Sequence, residues 1–177
     1  QYTESHGGGR AALALFFSNL DALVIVGKAR RLSVLSIGTH HLQVNEVEFL
    51  RGKDAAITGK MMRKIIKAGS GHRSLLRIGP AGEQGSSMAC INVDTYRHFG
   101  RMGGGASMGA KNLKGIAILG DGDFTMPDNK EYPKVYKHVF KQVTATKMMK
   151  KYHNLGTAAN VQSLNDIQSL PWNNLQK

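Results

Sequence analysis

The residues best suited to chemistry lie in one glycine-rich segment, residues 97–114. Its three consecutive glycines, Gly103, Gly104 and Gly105, let the backbone turn N–H groups toward a ligand without side chains in the way. The flanking cations, which suit phosphate oxygens, are Arg97, Arg101, Lys111 and Lys114. The spacing fits neither a P-loop nor a dinucleotide-binding fingerprint. The residues alone therefore leave two interpretations open, an anion-binding loop and a structural glycine turn.

A second special loop has the sequence Gly-Pro-Ala-Gly-Glu at residues 79–83 and follows an apolar run typical of a strand. Proline presets one backbone angle and the glycines permit unusual ones, so a plain tight turn is the favoured interpretation.

The single cysteine and the seven histidines indicate no catalytic centre within the chain. Cys90 excludes an internal disulfide and indicates a reducing compartment. It lies in an apolar pattern that predicts a strand over residues 87–93, and we expect a buried thiol. The histidines show no paired metal-ligand spacing. We therefore predict no catalytic residue in this sequence.

The composition is that of a globular protein with a strong positive charge. The chain is 41% hydrophobic and 20% charged, with a formal net charge of +12 over 177 residues. A field of this sign favours anionic partners, although a missing acidic half of a longer protein would explain it equally well. The apolar stretches are far too short for a membrane span, so we expect no membrane partner.

The predicted elements give an α+β fold with a β-rich part followed by a helical part. Apolar runs predict strands at residues 22–26, 32–37, 41–47, 75–78, 87–93 and 113–119. Helices are predicted at residues 10–20, from 58 to about 69, 130–152 and 157–170. The predicted elements change near Gly120 from mostly strands to helices, and this change predicts two domains, residues 1–122 and 123–177. Because the sequence starts at Gln1 in a glycine-rich loop, we interpret it as a piece of a longer chain.

Four ordered motifs resemble the aldehyde:ferredoxin oxidoreductase family. The first combines Gly-Gly at 8–9 with Asp-Ala-Leu-Val-Ile-Val-Gly-Lys-Ala at 21–29, and the second is Ile-Gly-Pro-Ala-Gly-Glu at 78–83. The third combines Gly-Arg at 100–101 with Gly-Gly-Gly-Ala-Ser-Met-Gly-Ala-Lys-Asn-Leu-Lys at 103–114. The fourth combines Gly-Thr-Ala at 156–158 with Leu-Pro at 170–171 and Asn-Leu-Gln at 174–176. Their order and spacing agree with the family over nearly the whole chain.

The resemblance implies a tungsten (or molybdenum) bis-pterin enzyme. Such an enzyme would oxidise aldehydes to carboxylic acids, or run a related low-potential reaction, with ferredoxin or another electron-transfer subunit as partner. The first domain would be a β-rich base for the pterins, and the second the start of a helical domain. The family's 4Fe-4S cluster needs four cysteines, so its ligands and the catalytic residues would lie outside this chain. The remaining polypeptide would then be a partner, a homo-oligomer is compatible, and a cytoplasmic location is expected.

The resemblance also assigns site residues. Arg97 stands at the family's pterin-phosphate arginine, and the carbonyl of His98 matches one that helps hold a magnesium ion bridging the two pterin phosphates. His6 falls where many members place the asparagine that binds this ion. The residues expected at the cofactor are His6, Gly8, Gly9, Arg97, His98, Gly100, Arg101, Gly103, Gly104 and Gly105. Met102 and Gln84 depart from the family pattern and indicate a divergent branch. Some branches handle aromatic acids or reduce aromatic thioesters, so the substrate is open.

Two other classes of protein remain as alternatives. A basic anion- or nucleic-acid-binding module is supported by the net charge and by the lysines of the predicted helix over residues 130–152. These lysines are Lys134, Lys137, Lys141, Lys147, Lys150 and Lys151. No nucleic-acid fold signature accompanies them. A cofactor-free structural paralogue is supported by the departures at His6 and Met102.

Overall fold

The chain is an α+β protein, as predicted, and it divides into two compact units, Gln1–Phe124 and Thr125–Lys177. The structure is a computed structural model that describes residues 2–66, 72–122 and 130–173, with Lys151 described by its backbone alone. The domain boundary predicted after residue 122 falls beside residues 123–129, which lie outside the described residues.

Unit 1 is built on a six-stranded mixed sheet. Its strands are β1 (Ser33–Gly38), β2 (His41–Glu46), β3 (Ser74–Arg77), β4 (Ile91–Val93), β5 (Arg97–Phe99) and β6 (Leu113–Ile118). The order across the sheet is β2-β1-β6-β3-β4-β5, with β1 and β6 parallel and all other neighbours antiparallel. The strands predicted at 32–37, 41–47, 75–78 and 113–119 are confirmed, and β1 and β2 form a hairpin.

Helices cover both faces of this sheet, so unit 1 has two hydrophobic cores. Ile116 and Ile118 of β6 enter one core, and Ala117 between them enters the other. This alternation follows from the period of two along a strand. Helices α1 (Ala11–Phe16) and α4 (Gly104–Ala110) contribute to the first core, and α2 (Ala55–Ile65) contributes to the second.

Helix α2 begins three residues before the predicted start at Thr58, because Asp54 provides its N-cap. The Asp54 Oδ1 atom accepts a hydrogen bond from the Ile57 backbone N–H at 2.7 Å. On its inner side the helix packs over Arg77, whose guanidinium Nε donates to the Ala55 carbonyl at 2.5 Å. Burial of this guanidinium, with Arg63 nearby, lowers the pKa of Arg77. The helix is thus fixed to β3 through a buried cation.

We expect Asp54→Ala to lower the free energy of unfolding of unit 1 by about 1 kcal/mol, because an N–H of the first turn loses its acceptor. Urea unfolding followed by circular dichroism measures this loss. Asp54→Asn retains the acceptor and should lose much less. If both variants lost the same free energy of unfolding, the negative charge near the helix start would explain the effect, and the capping role would be contradicted.

The strand predicted at residues 22–26 is wrong. This segment belongs to no strand; Leu23 and Ile25 pack against the first core, while Val24 and Val26 are 82% and 84% exposed. An apolar run shows that a segment can enter a sheet, but it does not supply the neighbouring strand that the segment must pair with.

Unit 2 is helical, as predicted, but its helices are shorter than expected. They are α5 (Tyr132–Thr144), α6 (Lys147–Tyr152) and α7 (Val161–Asp166), with a 3₁₀ turn at Gly156–Asn160. The single helix predicted over 130–152 is broken because Thr146 starts α6 as its N-cap, accepting from the Met149 N–H at 3.2 Å. None of the helices in the described ranges is long and apolar enough to cross a membrane.

Candidate anion-binding site

The glycine-rich loop at residues 7–9 lies against strand β5. A Cβ atom on Gly7 would be 3.0 Å from the Phe99 ring, and one on Gly9 would be 3.2 Å from the Cγ atom of Arg97. Gly9 also has a φ of +109°, a conformation that L side chains rarely adopt. The structure therefore brings together two parts of the predicted site that are about 90 residues apart in the sequence.

The cations beside this loop face solvent. Arg97, His98 and Arg101 are exposed, and within the described ranges no carboxylate lies within ion-pair distance of either arginine. Gly8 and Gly100 border open space, since a Cβ atom on either would meet nothing within 4 Å. Exposed guanidinium groups beside open backbone have the donor chemistry that phosphate oxygens require.

The two histidines assigned to magnesium make other contacts through their rings. The His6 Nε2 atom lies 2.8 Å from a Glu4 carboxylate oxygen, and the His98 Nε2 atom lies 2.9 Å from the Asn92 amide. Magnesium prefers oxygen ligands, so neither imidazole fits the ion. The described residues hold no group of three or more His, Cys, Asp or Glu side chains that could bind a metal. Of the groups that the resemblance assigns to the ion, the backbone carbonyl of His98 has the required chemistry.

The three consecutive glycines begin a helix, α4, which the sequence did not predict. Gly103 is left-handed, with φ of +70°, and a Cβ atom there would lie 2.9 Å from the Ser87 carbonyl oxygen. A Cβ atom on Gly104 would lie 3.3 Å from Ile91, and one on Gly105 would lie 2.6 Å from the Cys90 carbonyl oxygen. The Gly105 N–H donates to the Ala89 carbonyl at 3.0 Å and is thus engaged. Close packing against residues 87–91 accounts for all three glycines.

The second glycine motif packs directly on α4. Residues 79–83, predicted as a turn, form the one-turn helix α3 (Pro80–Glu83). A Cβ atom on Gly82 would lie 2.9 Å from the Gly105 carbonyl oxygen, and one on Gly109 would lie 1.9 Å from the Gly82 carbonyl oxygen. These two of the four motifs that resemble the family are therefore one packed structure, which places α4 beside residues 87–91, the residues that lead to β4.

A buried ion pair fixes this structure to the sheet. The Lys114 ammonium group on β6 contacts the Glu83 carboxylate, and the two side chains are 0% and 8% exposed. Lys114 also donates to the Lys53 carbonyl at 2.7 Å, and Glu83 accepts from the Gly52 N–H at 2.9 Å. Sequence reasoning placed Lys114 among the cations around the glycines, facing a phosphate; the structure gives it a buried structural role.

A largely apolar cavity of about 440 Å³ lies next to the loop at residues 7–9. Its lining includes His6, Gly7, Leu23, Ile25, Phe99 and Ile116. Ile116 belongs to the first core and the half-buried Leu23 and Ile25 pack against that core, so the cavity borders the first core directly. His6 and Gly7 place the cavity at the edge of the candidate site.

Cys90 is exposed, and the expectation of a buried thiol is wrong. Only residues 91–93 of the predicted strand at 87–93 pair in the sheet, as β4. The preceding residues form a turn in which the Ala89 N–H donates to the Ser86 carbonyl at 3.0 Å. Cys90 faces solvent although its neighbour Ala89 is buried, and the carbonyl oxygens of both residues lie against Gly105 of α4.

Asn92 is a site residue that sequence reasoning missed. Its amide contacts the His98 ring at 2.9 Å and donates to the Arg97 carbonyl at 3.5 Å, so it links β4 to the two residues assigned to the cofactor. The pairing of Asn92 with His98 across two antiparallel strands explains these contacts. The only available signal was the turn-forming Asp94-Thr95 sequence between the two strands, which indicates a hairpin.

Comparisons with known proteins point to one family. The family model of the aldehyde ferredoxin oxidoreductase N-terminal domain matches residues 1–120. The tungsten-containing aldehyde ferredoxin oxidoreductase of Pyrococcus furiosus is 32% identical over 98% of this chain and 29% of its own length. The enzyme of the same name from Thermococcus kodakarensis is 31% identical over the same shares. The chain thus spans less than a third of these relatives.

A solved structure shares the fold. The active-site complex BamBC of benzoyl coenzyme A reductase, in complex with 1,5-dienoyl-CoA, superposes with a TM-score of 0.69 and 26% identity. The match covers 85% of this chain and 22% of that one. With the family model matching more than half of the sequence, the chain belongs to the aldehyde ferredoxin oxidoreductase family.

Proposed function

We propose that this chain is part of a tungsten (or molybdenum) bis-pterin oxidoreductase, in which unit 1 holds the phosphates of the cofactor. The observation that carries the proposal is the packing of the loop at residues 7–9 against Arg97 on β5, with Arg101 exposed nearby and open space at Gly8 and Gly100. When bound, the cofactor supplies the redox centre. The described residues supply the phosphate-binding donors and the rigid glycine packing that positions them.

The individual roles follow from the chemistry of each group. The Arg97 guanidinium offers two parallel N–H donors to phosphate oxygens, and Arg101 adds a second positive charge. The backbone of Gly8, Gly9 and Gly100 admits a bulky anion because it carries no side chains. Gly103, Gly104 and Gly105 contact no phosphate in this proposal; because they lack side chains, they let α4 pack closely against residues 87–91. The carbonyl of His98 is the donor suited to magnesium, and the His6 ring is assigned no metal role.

The reaction of the whole protein is proposed from its relatives. Relatives named tungsten-containing aldehyde ferredoxin oxidoreductases support an aldehyde as substrate and ferredoxin as electron partner. A carboxylic acid as product and a 4Fe-4S cluster bound by polypeptide outside this chain are proposed from the family resemblance of the sequence. The likeness to a benzoyl coenzyme A reductase supports a second candidate, reduction of an aromatic thioester. Activity of the purified protein with an aldehyde and with an aromatic acyl-CoA distinguishes the two.

We expect Arg97→Ala to lower cofactor affinity by about ten- to a hundredfold, because a hydrogen bond to a charged group contributes roughly 1.5–3 kcal/mol. Elemental analysis of the purified native protein for tungsten and molybdenum, per mole of polypeptide, measures this loss. Arg31→Ala, which removes an exposed arginine paired with Glu46 at 3.4 Å, is the matched control and should retain the wild-type metal content.

Unchanged metal content in Arg97→Ala would refute the phosphate role of this arginine. Absence of tungsten and molybdenum from the wild-type protein would refute the proposed function as a whole. Nucleic-acid affinity that falls steeply with salt would then support the basic binding module. No such affinity would support the cofactor-free paralogue.

A further inference from the structure

Unit 2 has no hydrophobic core among its described residues. Between residues 130 and 173 not one described side chain is buried, and all the buried apolar side chains in the described ranges belong to unit 1. Helices of 6 to 13 residues, such as α5, α6 and α7, are marginal in water without tertiary packing. These helices therefore need a surface to pack on.

Helix α5 presents a continuous apolar stripe to solvent. The stripe follows helical spacing of three and four residues and consists of Tyr132, Val135, Tyr136, Val139, Phe140 and Val143. Each of the six side chains is between 48% and 58% exposed. Three of the rings stack along it, with centroids 6.4 Å apart for Tyr132 and Tyr136 and 5.9 Å apart for Tyr136 and Phe140. An exposed patch of this kind is typical of an interaction site.

The charge of unit 2 indicates the kind of partner. Residues 130–173 contain seven lysines against the two acids Glu131 and Asp166, a formal net charge of +5. Lys134, Lys137 and Lys141 lie on the polar side of α5. A second copy of the chain would bring together two surfaces of the same sign, whereas a partner with acidic side chains would be attracted.

The length of the relatives indicates the source of the partner. This chain spans 29% of the Pyrococcus furiosus and Thermococcus kodakarensis proteins, so most of their polypeptide lies outside the matched stretch. We infer that the α5 stripe is a docking surface for a helical segment of that remaining polypeptide, with an apolar stripe of its own and an excess of aspartate and glutamate over lysine and arginine. Docking completes the core that unit 2 lacks. This inference depends on membership of the family and not on cofactor binding.

Hydrogen exchange of the backbone amides tests the docking. In the dilute 177-residue chain we expect fast exchange in α5 and slow exchange in β1, β3 and β6. The chain is then co-expressed with the Pyrococcus furiosus polypeptide from which the matching stretch has been deleted. In the purified complex, exchange in α5 should slow by at least about tenfold.

Two matched substitutions separate the docking face from the polar face. Val139→Asn places an amide in the stripe and should weaken co-purification of the deleted Pyrococcus furiosus polypeptide by about ten- to a hundredfold. This factor corresponds to the free energy gained when one aliphatic side chain is buried. His138→Asn introduces the same residue one position away, on the polar side of the helix. It should leave co-purification unchanged.

Four outcomes would overturn the inference. The first is slow hydrogen exchange in α5 of the dilute monomer, and the second is the absence of a complex with the deleted polypeptide. The third is an equal effect of the two substitutions on co-purification, and the fourth is stronger protection of α5 by a different occupant. Concentration-dependent dimers would identify that occupant as a second copy. Protection by vesicles of phosphatidylserine and phosphatidylcholine would identify it as an anionic membrane surface.

Discussion

Replacing Lys114 by methionine is expected to lower the free energy of unfolding of unit 1 by about 3–5 kcal/mol. The substitution leaves the Glu83 carboxylate buried without its cation, and the Lys53 carbonyl loses a donor. Urea unfolding followed by far-ultraviolet circular dichroism measures the loss. The only tryptophan, Trp172, lies outside unit 1, so its fluorescence would report on the wrong part of the chain.

A double-mutant cycle tests whether the ion pair itself is responsible. Glu83→Gln keeps an acceptor for the Gly52 N–H but removes the charge. The double variant Lys114→Met/Glu83→Gln should therefore lose less free energy of unfolding than the sum of the losses in the two single variants. Arg31→Met breaks an exposed pair in the same unit and should change stability little. Additive losses in the cycle would show that Lys114 and Glu83 act independently and would contradict the cross-link.

Replacing Gly109 by alanine is expected to cost at least about 3 kcal/mol, the upper part of the range for overpacked cores. The added Cβ atom would lie 1.9 Å from the Gly82 carbonyl oxygen, and this neighbour is backbone, so α3 and α4 would have to separate. The same urea experiment measures the loss. If the proposed function is correct, the native protein carrying Gly109→Ala should also contain less tungsten or molybdenum.

Gly100→Ala is the control for this substitution. A Cβ atom at Gly100 meets nothing within 4 Å, so the cofactor-free chain should be about as stable as wild type, or more stable by up to about 1 kcal/mol. A Gly109→Ala chain as stable as the Gly100→Ala chain would contradict the close packing of α3 on α4.

The sequence predicted the central strands well because their signal is local. Runs such as those of β1 and β6 are rich in valine, leucine and isoleucine, and a turn at Thr39 and His40 joins β1 to β2. Helix α4 could not be predicted in the same way. Glycine disfavours helices by about 1 kcal/mol relative to alanine, so a segment with glycines at 103–105 and 109 indicates a loop. Tertiary packing reverses this preference, because Gly105 and Gly109 lie where a larger residue would clash with backbone.

The candidate site was predictable in its residues but not in its assembly. Arg97 was identified through the family resemblance, and its exposed position on β5 leaves that role in place as a prediction. The contacts of Gly7 with Phe99 and of Gly9 with Arg97 join segments about 90 residues apart, which no local pattern specifies. Cys90 was mispredicted for a related reason, since an apolar neighbourhood in sequence does not show that the following α4 holds the backbone in a turn.

The position of β6 in the sheet affects how the chain folds during synthesis. Strand β6 is the last of the six to be made, yet it lies between β1 and β3 and joins the β1–β2 hairpin to the β3–β4–β5 strands. Until residue 118 has left the ribosome, these two parts have no shared strand, and the apolar faces of both remain open to water. Unit 1 therefore cannot complete its sheet until its last strand has been made, and before that point the nascent chain passes through an aggregation-prone stage.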